Sequence, residues 1–378
     1  MIPYGKHAIE QEDIDAVVDV LQQQFLTQGQ QVPAFEQALN RYCGSEYSLA
    51  VNSGTSALHI ACLALGVERG DSVWTSPLSF VASANCALYC GATIDFVDID
   101  PVSRNLCPQK LADKLAQTAI LPKVVIVVHY AGISCDMQAI KALSEQYGFY
   151  IIEDASHALG GYYQGKPIGS CQYSDMAVLS FHPVKSITTA EGGAVTTNNA
   201  QFYQRLGLFA KHGITRDPDL MEQQSPGSWY YEQIELGFNY RLSDLHAALG
   251  ISQLKKLDEF IQQRRIRAER YQNALAGLPV ILPVVDEQRC FAWHLYSIEL
   301  QQHDRAAVYR SLNQQGIGVN VHYIPIHLQP YYQRLGFAPG DFPAAEHFYQ
   351  NALTLPLFPA LSADDQNKVI RELTNALM

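Results

Sequence analysis

An α/β architecture, with a mainly parallel sheet covered by helices on both faces and a smaller α+β unit towards the C-terminus, follows from three features of the chain. Apolar strand-like runs alternate with helical patterns from Tyr47 to Thr197. The runs are almost continuously apolar, as strands buried on both faces must be. Polar stretches with chemical potential, Ser53 to Ser56, Ser76 to Phe80 and Glu153 to His157, fall directly after them, where open α/β sheets collect ligands. A chain of 378 residues with 48% hydrophobic content is too long for one simple core. Division into residues 1–250 and 251–378 is therefore expected.

The elements follow in order. Ile14, Val17, Val18 and Leu21 recur at helical spacing, and a second helix starts at Pro33 and stops near Gly44. Phe25 to Gly29 connects them. Tyr47 to Val51 reads as a strand, then Asn52-Ser53-Gly54-Thr55-Ser56 turns into a helical pattern through Ala57, Leu58, Ile60, Ala61 and Leu65. Such a junction presents free backbone N–H groups and a positive helix end to an anion, although an ordinary N-cap has the same sequence. Strands are expected at Ser72 to Ser76, Thr93 to Val97, Val124 to His129 and Phe149 to Ile152. Helices near Ser79 to Tyr89, Pro108 to Gln117 and Asp136 to Tyr147 separate them. Asp175 to Phe181 and Ala194 to Thr197 are further strands, and His212 to Arg241 is a long polar and aromatic stretch of functional or interface character. One long helix is expected from Ser243 to about Ala276. Beyond it lie strands near His294 to Leu300 and Gly318 to Tyr323, and helices near Asp304 to Gln314 and Ala363 to Leu377.

Composition excludes several functions. A net charge of -11 leaves no basic face for nucleic acid or an anionic membrane. No apolar run reaches the length of a bilayer span, and the start Met-Ile-Pro-Tyr-Gly-Lys has no signal core, so a cytoplasmic protein is expected. The eight cysteines, Cys62, Cys86 and Cys90 among them, form no Cys-x-x-Cys pair. Reduced thiols without zinc or disulfides are the expectation, and no metal ligand set stands out. Neither Gly-x-Gly-x-x-Gly nor a P-loop occurs at a strand-to-helix turn, which removes the usual dinucleotide and nucleoside triphosphate fingerprints.

Lys185 occupies an irregular turn between two strands, where Pro183 bars helix and can aim an amine. Asp154 ends an apolar run, so its carboxylate needs a cationic partner. A protonated pyridine nitrogen is one such partner. Phe80 can lie over an aromatic ring, His157 can stack or hydrogen-bond there, and Ser180 can add a donor to the Gly54-Thr55 helix end. Singly, each has an ordinary reading: a solvated lysine, a capping carboxylate, a core phenylalanine or histidine. Together they supply what pyridoxal phosphate needs.

Asn-Ser-Gly-Thr-Ser-Ala-Leu, Glu-Asp-Ala-Ser-His-Ala, Ser-Phe-His-Pro-Val-Lys-Ser-Ile-Thr-Thr-Ala-Glu-Gly-Gly and Gly-Phe-Asn-Tyr-Arg, in that order, resemble the nucleotide-sugar aminotransferases of pyridoxal-phosphate fold type I, the DegT/StrS group, across essentially the whole chain. Phe-Leu-Thr-Gln-Gly near the start and His-Tyr-Ala-Gly at 129–132 are most similar to the members acting in pseudaminic acid synthesis. The resemblance implies a large cofactor-binding domain and a small C-terminal one. It implies that Lys185 and Asp154 are catalytic, and that Gly54, Thr55, Ser56, Phe80, His157 and Ser180 contact pyridoxal 5'-phosphate, or pyridoxamine 5'-phosphate during turnover. Asn239 and Arg241 would complete the cofactor site of a neighbouring subunit, so a homodimer is implied. Tyr4, Phe25, Leu26, Thr27, Gln28, His322 and Tyr323 would line the sugar-nucleotide site. The implied reaction moves an amino group from L-glutamate to C4 of a UDP-2-acetamido-2,6-dideoxy-hexos-4-ulose. Relatives that have become sugar dehydratases lack the lysine, which is present here. Ser186 departs from the pattern, where proline is expected.

Overall fold

The alternation from Tyr47 to Thr197 builds a seven-stranded sheet in the computed structural model, which describes residues 1–285 and 289–378. The spatial order is Tyr47–Val51, Gly193–Thr197, Met176–Ser180, Tyr150–Asp154, Val124–Val128, Ser72–Thr75, Thr93–Phe96. The last five pair in parallel, each joined to the next through helices or long crossovers. Gly193–Thr197 instead runs antiparallel to both its neighbours. The connection 181–192 therefore turns back at one end of the sheet rather than crossing a face. It carries Lys185.

Two clusters of buried side chains cover the two faces. One includes Leu58, Cys62, Ile126, Ile152, Val178 and Val195; the other includes Phe35, Leu39, Val125, Ile151, Leu179 and Ala194. Successive residues of one strand thus enter opposite cores, as a pleat requires. A third cluster gathers Tyr271, Tyr296, Ile298, Leu312, Leu353 and Leu373 around the antiparallel strands Val280–Ile281, Tyr296–Leu300 and Ala352–Leu355. The chain start joins it, for Ile2 is buried there and its N–H donates to Gly316 O at 2.8 Å.

Several expectations are corrected. The long helix from Ser243 is two helices, Asp244–Leu254 and Leu257–Leu275. At the break, Gln253 Nε2 and Lys256 Nζ both reach the buried Asp13 Oδ2, at 2.9 and 2.6 Å, so tertiary bonds override propensity. The first half of Leu257–Leu275 packs on the sheet through Phe260 and Ile261, and its second half joins the third cluster through Tyr271 and Leu275. Gly318 to Tyr323 is not a strand. It makes one isolated bridge, Asn320 to Thr354, because Gly318 N is bonded to Ile2 O and His322 O accepts from Tyr130 OH at 2.7 Å. The helices Ala200–Ala210 and Pro343–Asn351 and the strand Ala352–Leu355 are additional elements. Among the described residues no helix is long and apolar enough to cross a membrane.

The antiparallel crossing brings Gly193 against the turn after Tyr47–Val51. A Cβ on Gly193 would lie 2.5 Å from the Ser53 carbonyl and 2.6 Å from Gly54 N, all backbone that cannot step aside. Gly193→Ala should therefore cost ~1–3 kcal/mol through overpacking, read as a lower thermal midpoint. An unchanged midpoint would contradict this packing.

Candidate active site

The loop that carries Lys185 is fixed at both ends. Thr188 Oγ1 and Thr189 N both donate to Phe181 O at 3.0 Å, and Ala190 N donates to Thr188 Oγ1 at 2.9 Å. Within it, Lys185 N donates to His182 O at 2.8 Å. Ser186 is buried in this frame, so the absent proline leaves the loop held by its threonines.

Lys185 reaches a cavity of about 450 Å³ at the carboxyl ends of the parallel strands. Asp154, the last residue of its strand, enters the same cavity and is buried. Ser83 Oγ donates to Asp154 Oδ2 at 2.6 Å, and Ser156 N donates to Oδ1 at 3.2 Å. Among the described residues no cation pairs with it within ion-pair distance. This is a buried carboxylate held by neutral donors only.

The helix Gly54–Ala64 points its N-terminus at the cavity, with Ser53 capping through Ser56 N at 3.1 Å. Gly54 and Thr55 line the wall beside Ser180. A Cβ on Gly54 would come within 3.0 Å of Ser180 Cβ, so glycine permits this closeness. Backbone N–H groups, the helix dipole and two hydroxyls thus converge where an anion is favoured.

Phe80 also lines the cavity, with 59% of its surface exposed, 6.4 Å from the Tyr323 ring. Three buried imidazoles, His157, His294 and His322, line the cavity with Tyr323, and the exposed His182 stands at its edge. Tyr323 OH and His157 Nε2 are 3.1 Å apart, the His157 and His294 rings are 4.3 Å apart, and His157 Nδ1 has no partner. Burial, reinforced by the nearby Lys185 ammonium, holds His157 well below the ordinary histidine range and His322 at about 4. Burial also lowers His294, and it raises the Tyr323 phenol. All three rings are therefore neutral near pH 7, when each offers one donor and one acceptor. Lys185 itself falls to about 8, because burial lowers it more than the Asp154 charge raises it.

Of the expected site residues, Tyr4, Gly54, Thr55, Phe80, Asp154, His157, Ser180, Lys185, His322 and Tyr323 line this one cavity. Ser56 does not: its hydroxyl donates to Asn52 Oδ1 at 2.7 Å and faces Ser53 Oγ at 2.9 Å, so it serves the turn. Phe25, Leu26, Thr27 and Gln28 are exposed beside the helix Gln31–Cys43 and are not part of the wall, nor are Asn239 and Arg241. Arg241 bridges to Val51 and Asn239 to Lys211 instead. Ser83, His294 and Asn320 join the site without having been singled out. Ser79 and Ser83 at i, i+4 on a helical pattern were the available signal for the first; the other two come from distant chain segments.

A desolvated amine lowered to about 8, a buried carboxylate with no ion-pair partner among the described residues and an anion cradle fit pyridoxal phosphate. The fold superposes on Spr1654 of Streptococcus pneumoniae, described as a sugar aminotransferase, in its PLP form (TM-score 0.90, 29% identity, 99% of this chain and 98% of that one) and its PMP form (0.92, 29%, 100% and 99%). The class is thus a pyridoxal-phosphate-dependent aminotransferase. The chain belongs to the DegT/DnrJ/EryC1/StrS aminotransferase family, which it matches over residues 7–374. It is 38% identical to the spore coat polysaccharide biosynthesis protein SpsC of Bacillus subtilis, over 98% of this chain and 95% of that one. It is 37% identical to the UDP-4-amino-4,6-dideoxy-N-acetyl-beta-L-altrosamine transaminase of Campylobacter jejuni, over 97% and 94%. Helicobacter pylori PseC, an aminotransferase of pseudaminic acid biosynthesis, superposes with TM-score 0.91 at 32% identity, covering 100% of this chain and 99% of its own.

Amine labelling of the cofactor-free protein should titrate at Lys185 with a midpoint near 8 rather than 10.5. Asp154→Asn, which removes the charge favouring the ammonium, should move the midpoint lower. A midpoint at the ordinary lysine value would remove the desolvated amine.

Proposed function

We propose that the chain transfers an amino group from L-glutamate to C4 of a UDP-2-acetamido-2,6-dideoxy-hexos-4-ulose, giving UDP-4-amino-4,6-dideoxy-N-acetyl-beta-L-altrosamine for pseudaminic acid biosynthesis. The observation that carries the chemistry is the shared cavity of Lys185, Asp154 and the Gly54 helix end. The likeness to the Campylobacter jejuni transaminase and to PseC supports the sugar.

Lys185 Nζ would hold the cofactor's aldehyde carbon, Asp154 its ring nitrogen, and Gly54, Thr55 and Ser180 its phosphate. When bound, pyridoxal phosphate supplies a carbonyl that exchanges amines and a protonated ring that accepts the electron pair of a broken C–H bond. Asp154, which has no ion-pair partner among the described residues, would hold that ring proton in place. A free Lys185 amine, lowered to about 8, would be neutral often enough at pH 7 to remove the proton from the donor's α-carbon. In the second half the same nitrogen delivers a proton to sugar C4. Phe80 offers a ring face on one wall, while neutral His157, His322 and Tyr323 offer donors and acceptors without a competing charge.

The SpsC likeness favours a second reading, amination of a different 3- or 4-keto nucleotide sugar by the same residues. We further propose a homodimer in which Asn239 and Arg241 serve the partner's cavity. In support, they lie outside their own, and the stretch that carries them exposes Trp229 at 71% and Leu236 at 76%.

Lys185→Ala should keep the fold and lose all turnover, and Asp154→Asn should keep some cofactor with a rate loss of about 100-fold or more. A Lys185→Ala protein that still aminates a keto sugar would end the reading. With the intact enzyme, glutamate should bleach the visible band of the lysine-bound cofactor and the UDP-linked 4-keto sugar should restore it. Restoration by other keto sugar nucleotides alone would select the second reading; no bleaching would exclude transamination.

A further inference from the structure

Asp154 is held by donors from two separate elements, one on each oxygen. Ser83 Oγ, on the helix Ala82–Tyr89, donates to Oδ2 at 2.6 Å, and the Ser156 backbone N–H donates to Oδ1 at 3.2 Å. Ser83 Oγ lies in turn 2.7 Å from Ser79 Oγ. A hydroxyl has a single proton. With the Ser83 proton committed to the carboxylate, Ser79 must donate to Ser83, so the order runs from Ser79 through Ser83 to Asp154. Ser79 and Ser83 are 4% and 1% exposed, which leaves water little access to take over either role.

We propose that Ser83 is a positioning residue for the reaction: its hydroxyl sets the plane of the Asp154 carboxylate, and Ser79 orients that hydroxyl. The proposal rests on the reading of Asp154 as the partner of the cofactor's ring nitrogen. A carboxylate rotates freely about its last torsion unless its oxygens are tied. Here each oxygen is tied once, from a different element, and a lone pair remains for a ring N–H. A bond of 2.6 Å to a charged acceptor is of the short, strong kind. Because no cation pairs with Asp154 among the described residues, these two donors also stabilise its charge before cofactor binds. Apart from its bonds to Asp154 and Ser79, Ser83 bonds through its backbone: its N–H donates to Phe80 O and its carbonyl accepts from Cys86 Sγ. Alanine would keep both. Ser83→Ala therefore subtracts the hydroxyl, with its bond to Asp154 and its acceptance from Ser79, and leaves the backbone bonds in place.

The test is titration of the cofactor-free protein with pyridoxal phosphate, read by visible absorbance, with thermal unfolding of each variant measured in parallel. Ser83→Ala should raise the Kd about tenfold, the scale of one lost charge-assisted bond, with the unfolding midpoint of the cofactor-free protein little changed. Ser83→Thr, which keeps the hydroxyl, should restore the wild-type Kd. In an Asp154→Asn background, Ser83→Ala should have no further effect. If Ser83→Ala does not fold, Ser83→Cys, nearly the same volume with a weaker donor, should give an intermediate Kd. Wild-type affinity in Ser83→Ala or Ser83→Cys, or a full tenfold effect surviving in Asp154→Asn, would overturn the proposal. If Asp154→Asn binds weakly while Ser83→Ala binds normally, Ser83 alone is excluded. If Asp154→Asn itself binds like wild type, the reading of Asp154 falls first and the role of Ser83 with it.

Discussion

The arrangement depends on one electrostatic pairing left incomplete: an amine and a carboxylate face the same desolvated cavity, yet among the described residues neither has an ion-pair partner. Lys185 is lowered to about 8 by burial, against the opposing pull of Asp154. Asp154 is satisfied by hydroxyl and amide donors rather than by a cation. Burying an unpaired carboxylate is costly, so the fold must be stable enough elsewhere to hold it. A ligand bearing an aldehyde, a basic ring nitrogen and a phosphate resolves the amine, the carboxylate and the helix end at once.

The antiparallel return of Gly193–Thr197 is what brings these groups together. Had the connection 181–192 crossed a face to a parallel neighbour, Lys185 would leave the end of the sheet where Asp154 emerges. Instead the return places the lysine loop beside both Asp154 and the Ser53–Gly54 turn, close enough that Gly193 meets that turn backbone to backbone. The strand Tyr150–Asp154 serves two environments by alternation. Asp154 faces the cavity, while its neighbour Glu153 points into the opposite core, where Oε2 lies 2.8 Å from His129 Nε2.

The imidazoles extend the same logic. Burial, reinforced by the ammonium nearby, disfavours further positive charge, so His157, His294 and His322 remain neutral and act through hydrogen bonds alone. Tyr323 comes from the segment that sequence periodicity assigns to a strand. Its deviation from strand geometry is what carries His322 and Tyr323 into the cavity, so a local rule gives way where the site is built.

From the sequence alone, the strand alternation, the helix end at Gly54, the lysine turn and the carboxylate after Ile152 were legible, because each is encoded in a few neighbouring residues: a period, a cap, a proline, an apolar run. Together these residues pointed to pyridoxal phosphate, and the family resemblance added the reaction and the sugar class. What only the tertiary structure decided was which distant segments meet. The helix break at Lys255 and Lys256 depends on Asp13, some two hundred and forty positions earlier in the chain. The hold of Ser83 on Asp154 joins residues 71 positions apart, and His294 and Asn320 arrive from the other end of the chain. Such contacts arise from packing across the sheet, and no local pattern of residues specifies them.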